Sequence, residues 1–126
     1  GTPLAVAAGR ATLAELRKPG AYERLEAIGD GLATRLAPAV KAHGLSLTHV
    51  GSMITLFFMP TAPTHFEQVS KCDMKAFARW HRACLDRGIY LPCSQYEAAF
   101  LPLTLSDADL DRIAAGMSDA LDSILG

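Results

Sequence analysis

Leu45-Ser46-Leu47-Thr48-His49-Val50-Gly51-Ser52-Met53-Ile54-Thr55-Leu56-Phe57-Phe58-Met59 is the stretch whose reading decides the fold. Leu45, Leu47 and His49 alternate with polar residues, which is the period of a strand with one buried face. Gly51-Ser52 reads as a turn, and Met53 to Met59 is a short apolar run rich in strand formers. Two antiparallel strands joined by a tight turn follow. Met53, Thr55 and Phe57 alternate onto one face of the second strand and read as core.

Helical patterns lie on both sides of this hairpin. Before it, Tyr22, Leu25, Ile28, Leu32, Leu36 and Val40 recur every three or four residues, one apolar face of a helix from about Ala21 to Ala42. Pro38 should kink it or start a fresh turn, and His43-Gly44 should end it. An Ala-rich helix comes first, with Thr2 as cap and Pro3 at its first position, and Pro19-Gly20 breaks it near Lys18. After the hairpin, Pro60 to Ser70 reads as a loop. A third helix spans about Asp73 to Arg87, capped by Asp73 and stopped by Gly88, with Phe77, Trp80, Cys84 and Leu85 as its stripe. Ile89 to Leu91 reads as a short extended piece, and Ala98 to Leu103 as a strand that Pro102 confines to an edge. Ser106 and Asp109 form a capping box for a last helix faced by Leu110, Ile113, Ala114, Met117, Leu121 and Ile124. The fold class is α+β, with a short, mostly antiparallel sheet covered by helices.

The chain has 126 residues and a formal net charge of -1, which suits one domain, residues 1–126. Half the residues are hydrophobic, enough for a core and against global disorder. Lys and Arg are scattered without a basic face, so no nucleic acid is expected as a partner. No apolar run spans a bilayer, so no membrane is expected either. The start lacks both an initiator Met and a basic signal region, so the sequence is expected to be a piece or a processed product. Cys72, Cys84 and Cys93 are an odd number at unrelated spacings, which points to free thiols and a cytoplasmic setting.

Composition of a site is thin. His81, Cys84, Cys72 and Cys93 have none of the common zinc spacings, so no metal is expected. Cys93, between Pro92 and Ser94, is the accessible thiol, but no partner histidine can be read from one sequence. Phosphate-loop, dinucleotide and serine-hydrolase motifs are absent. What remains is Leu91-Pro92-Cys93-Ser94-Gln95-Tyr96-Glu97-Ala98, where Ser94, Gln95 and Glu97 are polar between apolar flanks. A carboxylate beside Tyr96 and Phe100 could bind a substrate amine, or be an ordinary exposed loop residue.

Four stretches carry a resemblance: Pro3-Leu4-Ala5-Val6-Ala7-Ala8-Gly9, Gly51-Ser52-Met53-Ile54-Thr55-Leu56-Phe57-Phe58, Gly88-Ile89-Tyr90-Leu91-Pro92 and Ser94-Gln95-Tyr96-Glu97-Ala98-Ala99-Phe100. Through them nearly the whole chain resembles the C-terminal part of the glutamate-1-semialdehyde 2,1-aminomutases, class III members of the fold-type-I pyridoxal-phosphate aminotransferases. The resemblance implies the small C-terminal domain of a larger enzyme that makes 5-aminolevulinate from glutamate 1-semialdehyde for tetrapyrrole synthesis. It implies pyridoxal phosphate in that parent and none bound to this chain alone, since the family's cofactor lysine lies upstream of the first matching stretch. None of Lys18, Lys41, Lys71 and Lys75 sits in that motif, and Gly1-Thr2 does not match the family's phosphate-binding dipeptide. The isolated chain is therefore expected to be inactive. Its partners are expected to be the missing large domain and a second copy in a homodimer. Glu97 matches the glutamate that faces the family's active site and is the expected catalytic residue. Ser94 and Gln95 are the substrate-pocket candidates beside it. Leu105 stands where the family has a histidine, which keeps another class III aminotransferase open as an alternative. A free-standing interaction module is the other alternative.

Overall fold

The computed structural model describes residues 1–126. The elements are α1 (Pro3–Leu16), α2 (Ala21–Ala42), β1 (Ser46–Val50), β2 (Met53–Phe57), α3 (Phe66–Val69), α4 (Met74–Asp86), β3 (Ala99–Phe100) and α5 (Asp107–Leu125). The expected α+β class is what forms.

β1 and β2 pair antiparallel from Ser46 opposite Phe57 to Val50 opposite Met53. That register leaves Gly51-Ser52 as a two-residue turn, with Gly51 in the left-handed region at φ 56°. β3 adds to the other side of β2, so the sheet order is β1-β2-β3. The sheet's buried face is the opposite of the one read from sequence. Ile54, Leu56 and Phe58 are buried, while Met53 is exposed and Thr55 and Phe57 are half-buried. Both alternating sets are apolar, so the helices, not the strand's own composition, select the inner one.

α2 packs on β1 and on α5, and α4 packs on α5 as well. Ile28, Leu32, Leu36 and Val40 of α2 meet Leu110, Ala114, Met117 and Leu121 of α5 in one core. Phe77, Trp80 and Cys84 of α4 join it, and Phe58 lies edge-on to Phe77 at 6.0 Å between ring centroids. α2 runs unbroken through Pro38 to Ala42 rather than starting a fresh turn, and Tyr22 at its start faces solvent.

Local end signals behave as their chemistry dictates. Asp73 caps α4 by accepting from the Lys75 and Ala76 amides, and Gly88 ends it with φ 75°. Ser106 and Asp109 form the reciprocal capping box of α5. Two expectations fail. The loop of residues 60–70 holds α3, whose start is tied by the Thr64 amide donating to Gln68 Oε1 at 2.8 Å. Ile89 to Leu91 joins no ladder. The Leu91 carbonyl is instead bonded by His81 Nε2 at 2.9 Å, and Ile89 and Leu91 pack against the core.

Candidate active site

A cleft of about 620 Å3 opens between β2, α4 and α5 and the segments of residues 87–92 and 97–102. It is lined by Ile54 and Leu56 of β2, by Trp80 and Met117, and by those two segments. The wall is mainly apolar, and its charged side chains are Arg87, Glu97 and Arg112. No lysine lines it. Leu105 lines the same cleft and packs against the core, and its carbonyl accepts from Arg24 at 2.7 Å.

The three expected site residues are placed differently. Glu97 lies on the cleft wall and is exposed, and its carboxylate makes no hydrogen bond or ion pair within the chain. A carboxylate on an apolar wall with free lone pairs can accept from an ammonium group or hold a proton there. Ser94 does not line the cleft. Its hydroxyl accepts from the Tyr96 amide at 3.2 Å, and its carbonyl accepts from the Glu97 amide at 3.1 Å, which folds the chain into a turn. Gln95 does not line the cleft either. It is 2% exposed and both ends of its amide are bonded to the backbone next to it. Tyr96 stands outside, its ring 5.1 Å from that of the exposed Phe66.

The cysteines do not gather into a ligand set. Cys72 and Cys84 are buried and Cys93 is exposed. Burial raises the Cys72 thiol, against a smaller pull from a hydrogen bond with the Phe58 backbone. Burial pushes the Cys84 thiol up to about 12, with nearby Arg87 opposing weakly. Both are inert thiols on that ground. A different trio, Glu26, Asp30 and His49, brings its possible ligand atoms within 4.8 Å of one another. Sequence reading missed it because His49 meets the helix only through the α2–β1 packing. Its bond is already internal, with His49 Nε2 2.7 Å from Asp30 Oδ1.

The chain is 43% identical over 114 residues to glutamate-1-semialdehyde 2,1-aminomutase 2 of Brevibacillus brevis. It is 46% identical over 123 residues to the aminomutase of Sorangium cellulosum, and 40% identical over 126 residues to that of Rhodopirellula baltica. The chain is homologous to the glutamate-1-semialdehyde 2,1-aminomutases. Between 89% and 98% of it is matched by these three relatives, and it spans only 27–29% of their length. It corresponds to a C-terminal piece of the aminomutases. Its fold is that of part of the transaminases. An omega-transaminase from Sphaerobacter thermophilus superposes over the whole chain with a TM-score of 0.79 at 18% identity, the match covering 29% of that structure. A transaminase with PLP bound superposes over 87% of the chain with a TM-score of 0.69 at 17% identity, the match covering 25% of that structure. No family model matches the chain. The transaminase superpositions agree with the small, helix-covered sheet of this chain.

Proposed function

We propose that this chain is the C-terminal domain, residues 1–126, of a longer enzyme that isomerises glutamate 1-semialdehyde to 5-aminolevulinate. The observation that carries the reading is Glu97, a carboxylate without a partner on the wall of a mainly apolar cleft, in a chain homologous to aminomutases. Pyridoxal phosphate requires an amine for its Schiff base, and the cleft has no lysine. The residues here do not make the cofactor site by themselves, so that site is assigned to the rest of the longer protein.

On this reading Glu97 binds the amine of the substrate. It accepts from a substrate ammonium group entering the cleft, and it holds the nitrogen-bearing end while the apolar wall excludes water from it. Arg87 on the cleft lining adds positive charge, which suits a substrate carrying a carboxylate, whereas Arg112 beside it is paired with Asp109 at 3.3 Å. Ser94 and Gln95 serve the site from the turn beside it. The isolated chain is inactive, the working protein is a cytoplasmic homodimer, and neither nucleic acid nor membrane is a partner. No helix of the chain is long and apolar enough to cross a membrane.

Leu105 favours a second reading. It lines the cleft where the aminomutase family is expected to carry a histidine, so another class III aminotransferase is the rival. The full-length protein decides between them. It should form 5-aminolevulinate from glutamate 1-semialdehyde, and Glu97→Gln should lower kcat by about 100-fold or more. Transamination of other amino donors without 5-aminolevulinate would give the rival reading instead. Unchanged turnover in Glu97→Gln would remove Glu97 from the site.

A further inference from the structure

β3 pairs with β2 at two positions only, Met53 with Phe100 and Ile54 with Ala99. Continuing that register along β2 would set Glu97 opposite Leu56 and Gln95 opposite Phe58. The backbone does not continue. It turns at Gln95 and Tyr96, and the Glu97 amide donates to Ser94 at 3.1 Å instead of to β2.

The bonds that the missing rung would have made are nevertheless present. The Phe58 amide donates to Gln95 Oε1 at 3.0 Å, and Gln95 Nε2 donates to the Leu56 carbonyl at 2.8 Å. A primary amide carries the same donor and acceptor as a peptide group, so one side chain can replace one rung of ladder. Gln95 is 2% exposed, so water does not compete for these bonds. Glu97 is thereby fixed from both directions. Gln95 anchors the chain two residues before it, and Ala99 anchors it two residues after it. Between these anchors the backbone stands off β2, and the carboxylate falls on the cleft wall.

We propose that Gln95 is a positioning residue, whose side-chain amide takes the place of a β-ladder rung and so holds Glu97 at the cleft. The inference rests on the reading of Glu97 given above. Gln95 touches no substrate, because each end of its amide is engaged with β2.

The test is a double-mutant cycle in the full-length enzyme with Gln95→Glu, Glu97→Gln and the two combined. As a neutral acid, the new glutamate can accept from the Phe58 amide and donate to the Leu56 carbonyl. As a carboxylate it faces that carbonyl with no hydrogen to give. Gln95→Glu should therefore lose up to about 100-fold in kcat at alkaline pH, with little change in KM. Its activity should recover as the pH falls. The double variant should be no slower than Glu97→Gln alone and should show no recovery. Gln95→Leu supplies the same cycle without a buried charge, should the first variant fold poorly. If the two losses multiply, or if neither Gln95 variant loses activity while Glu97→Gln does, this inference falls and the reading of Glu97 survives. If Glu97→Gln loses nothing, the reading falls and the inference with it.

Discussion

Gly29 of α2 lies directly against Gly51 in the β1–β2 turn, so close that a methyl group on Gly29 would overlap the Gly51 carbonyl oxygen. The obstacle is backbone, and it belongs to a turn that already uses φ 56°. Neither side can give way cheaply. The approach is what lets the first half of α2 rest on the hairpin that carries β2, and β2 in turn carries the cleft.

Gly29→Ala therefore sets two effects against each other. Alanine favours the helix over glycine by up to about 1 kcal/mol. Forcing a carbon into packed backbone costs about 1–3 kcal/mol. The steric effect is expected to win, and the urea midpoint of the variant should fall. A midpoint at or above that of the parent chain would mean that the α2–hairpin contact is looser than described.

Asp109 gives the chain an acid sensitivity at the start of α5. Hydrogen bonds from the Ser106 backbone and then the Ser106 hydroxyl hold its carboxyl below the usual aspartate value of 3.8, with Arg112 adding a smaller pull. A folded value lower than the unfolded one stabilises the fold above 3.8 and loses that contribution as pH falls through the lowered value. Asp109→Asn should lower the thermal midpoint at neutral pH and flatten its decline below pH 3.8. Parallel curves for the two proteins would show that the capping box is not formed in solution.

The capping box was legible in the sequence because it is local: Ser106, Asp109 and the amides they bond lie within one turn. The Asp73 cap and the Gly88 stop were legible for the same reason. The inner face of β2 was not. Ile54-Leu56-Phe58 and Met53-Thr55-Phe57 are both plausible inner sets, and only the position of α2 and α5 chooses between them. Gln95 shows the same limit at the site. A polar residue in a polar loop resembles a substrate contact, yet its partners Leu56 and Phe58 lie 39 and 37 residues away. Glu97 was picked out through the resemblance carried by its motif, and its place on the cleft wall depends on those distant bonds.

The cysteines should divide into one reactive and two silent thiols. Cys93 is exposed, whereas Cys72 and Cys84 are buried and raised by that burial. A disulfide reagent at neutral pH should titrate one thiol in the native chain and all three after denaturation. Two fast thiols in the native chain would mean that either the segment around Cys72 or α4, which carries Cys84, opens readily. The sign for Cys84 also predicts an alkaline limit. Its folded value of about 12 exceeds the ordinary thiol value of 9.0, so stability should fall as pH rises through that interval.

α1 is the part of the chain with the least to hold it. Thr2 caps it and Pro3 starts it, so the helix has a sound beginning. It nevertheless has no buried residue, and Leu4, Val6 and Leu13 are all exposed. A helix of 14 residues is marginal by itself in water, because propagation scarcely repays nucleation at that length. α2 and α5 differ in kind, since each buries a continuous face in the common core. In the isolated chain, the amides of α1 should exchange with solvent far faster than those around Leu32 and Leu121. On the proposed reading of the chain as part of a longer enzyme, the exposed side of α1 would be covered there, and its exchange should slow. Equal protection of α1 in both proteins would show that the helix is held within these 126 residues by contacts of its own. Slow exchange only in the longer protein would place α1, on that reading, at the seam between these residues and the rest of the proposed enzyme.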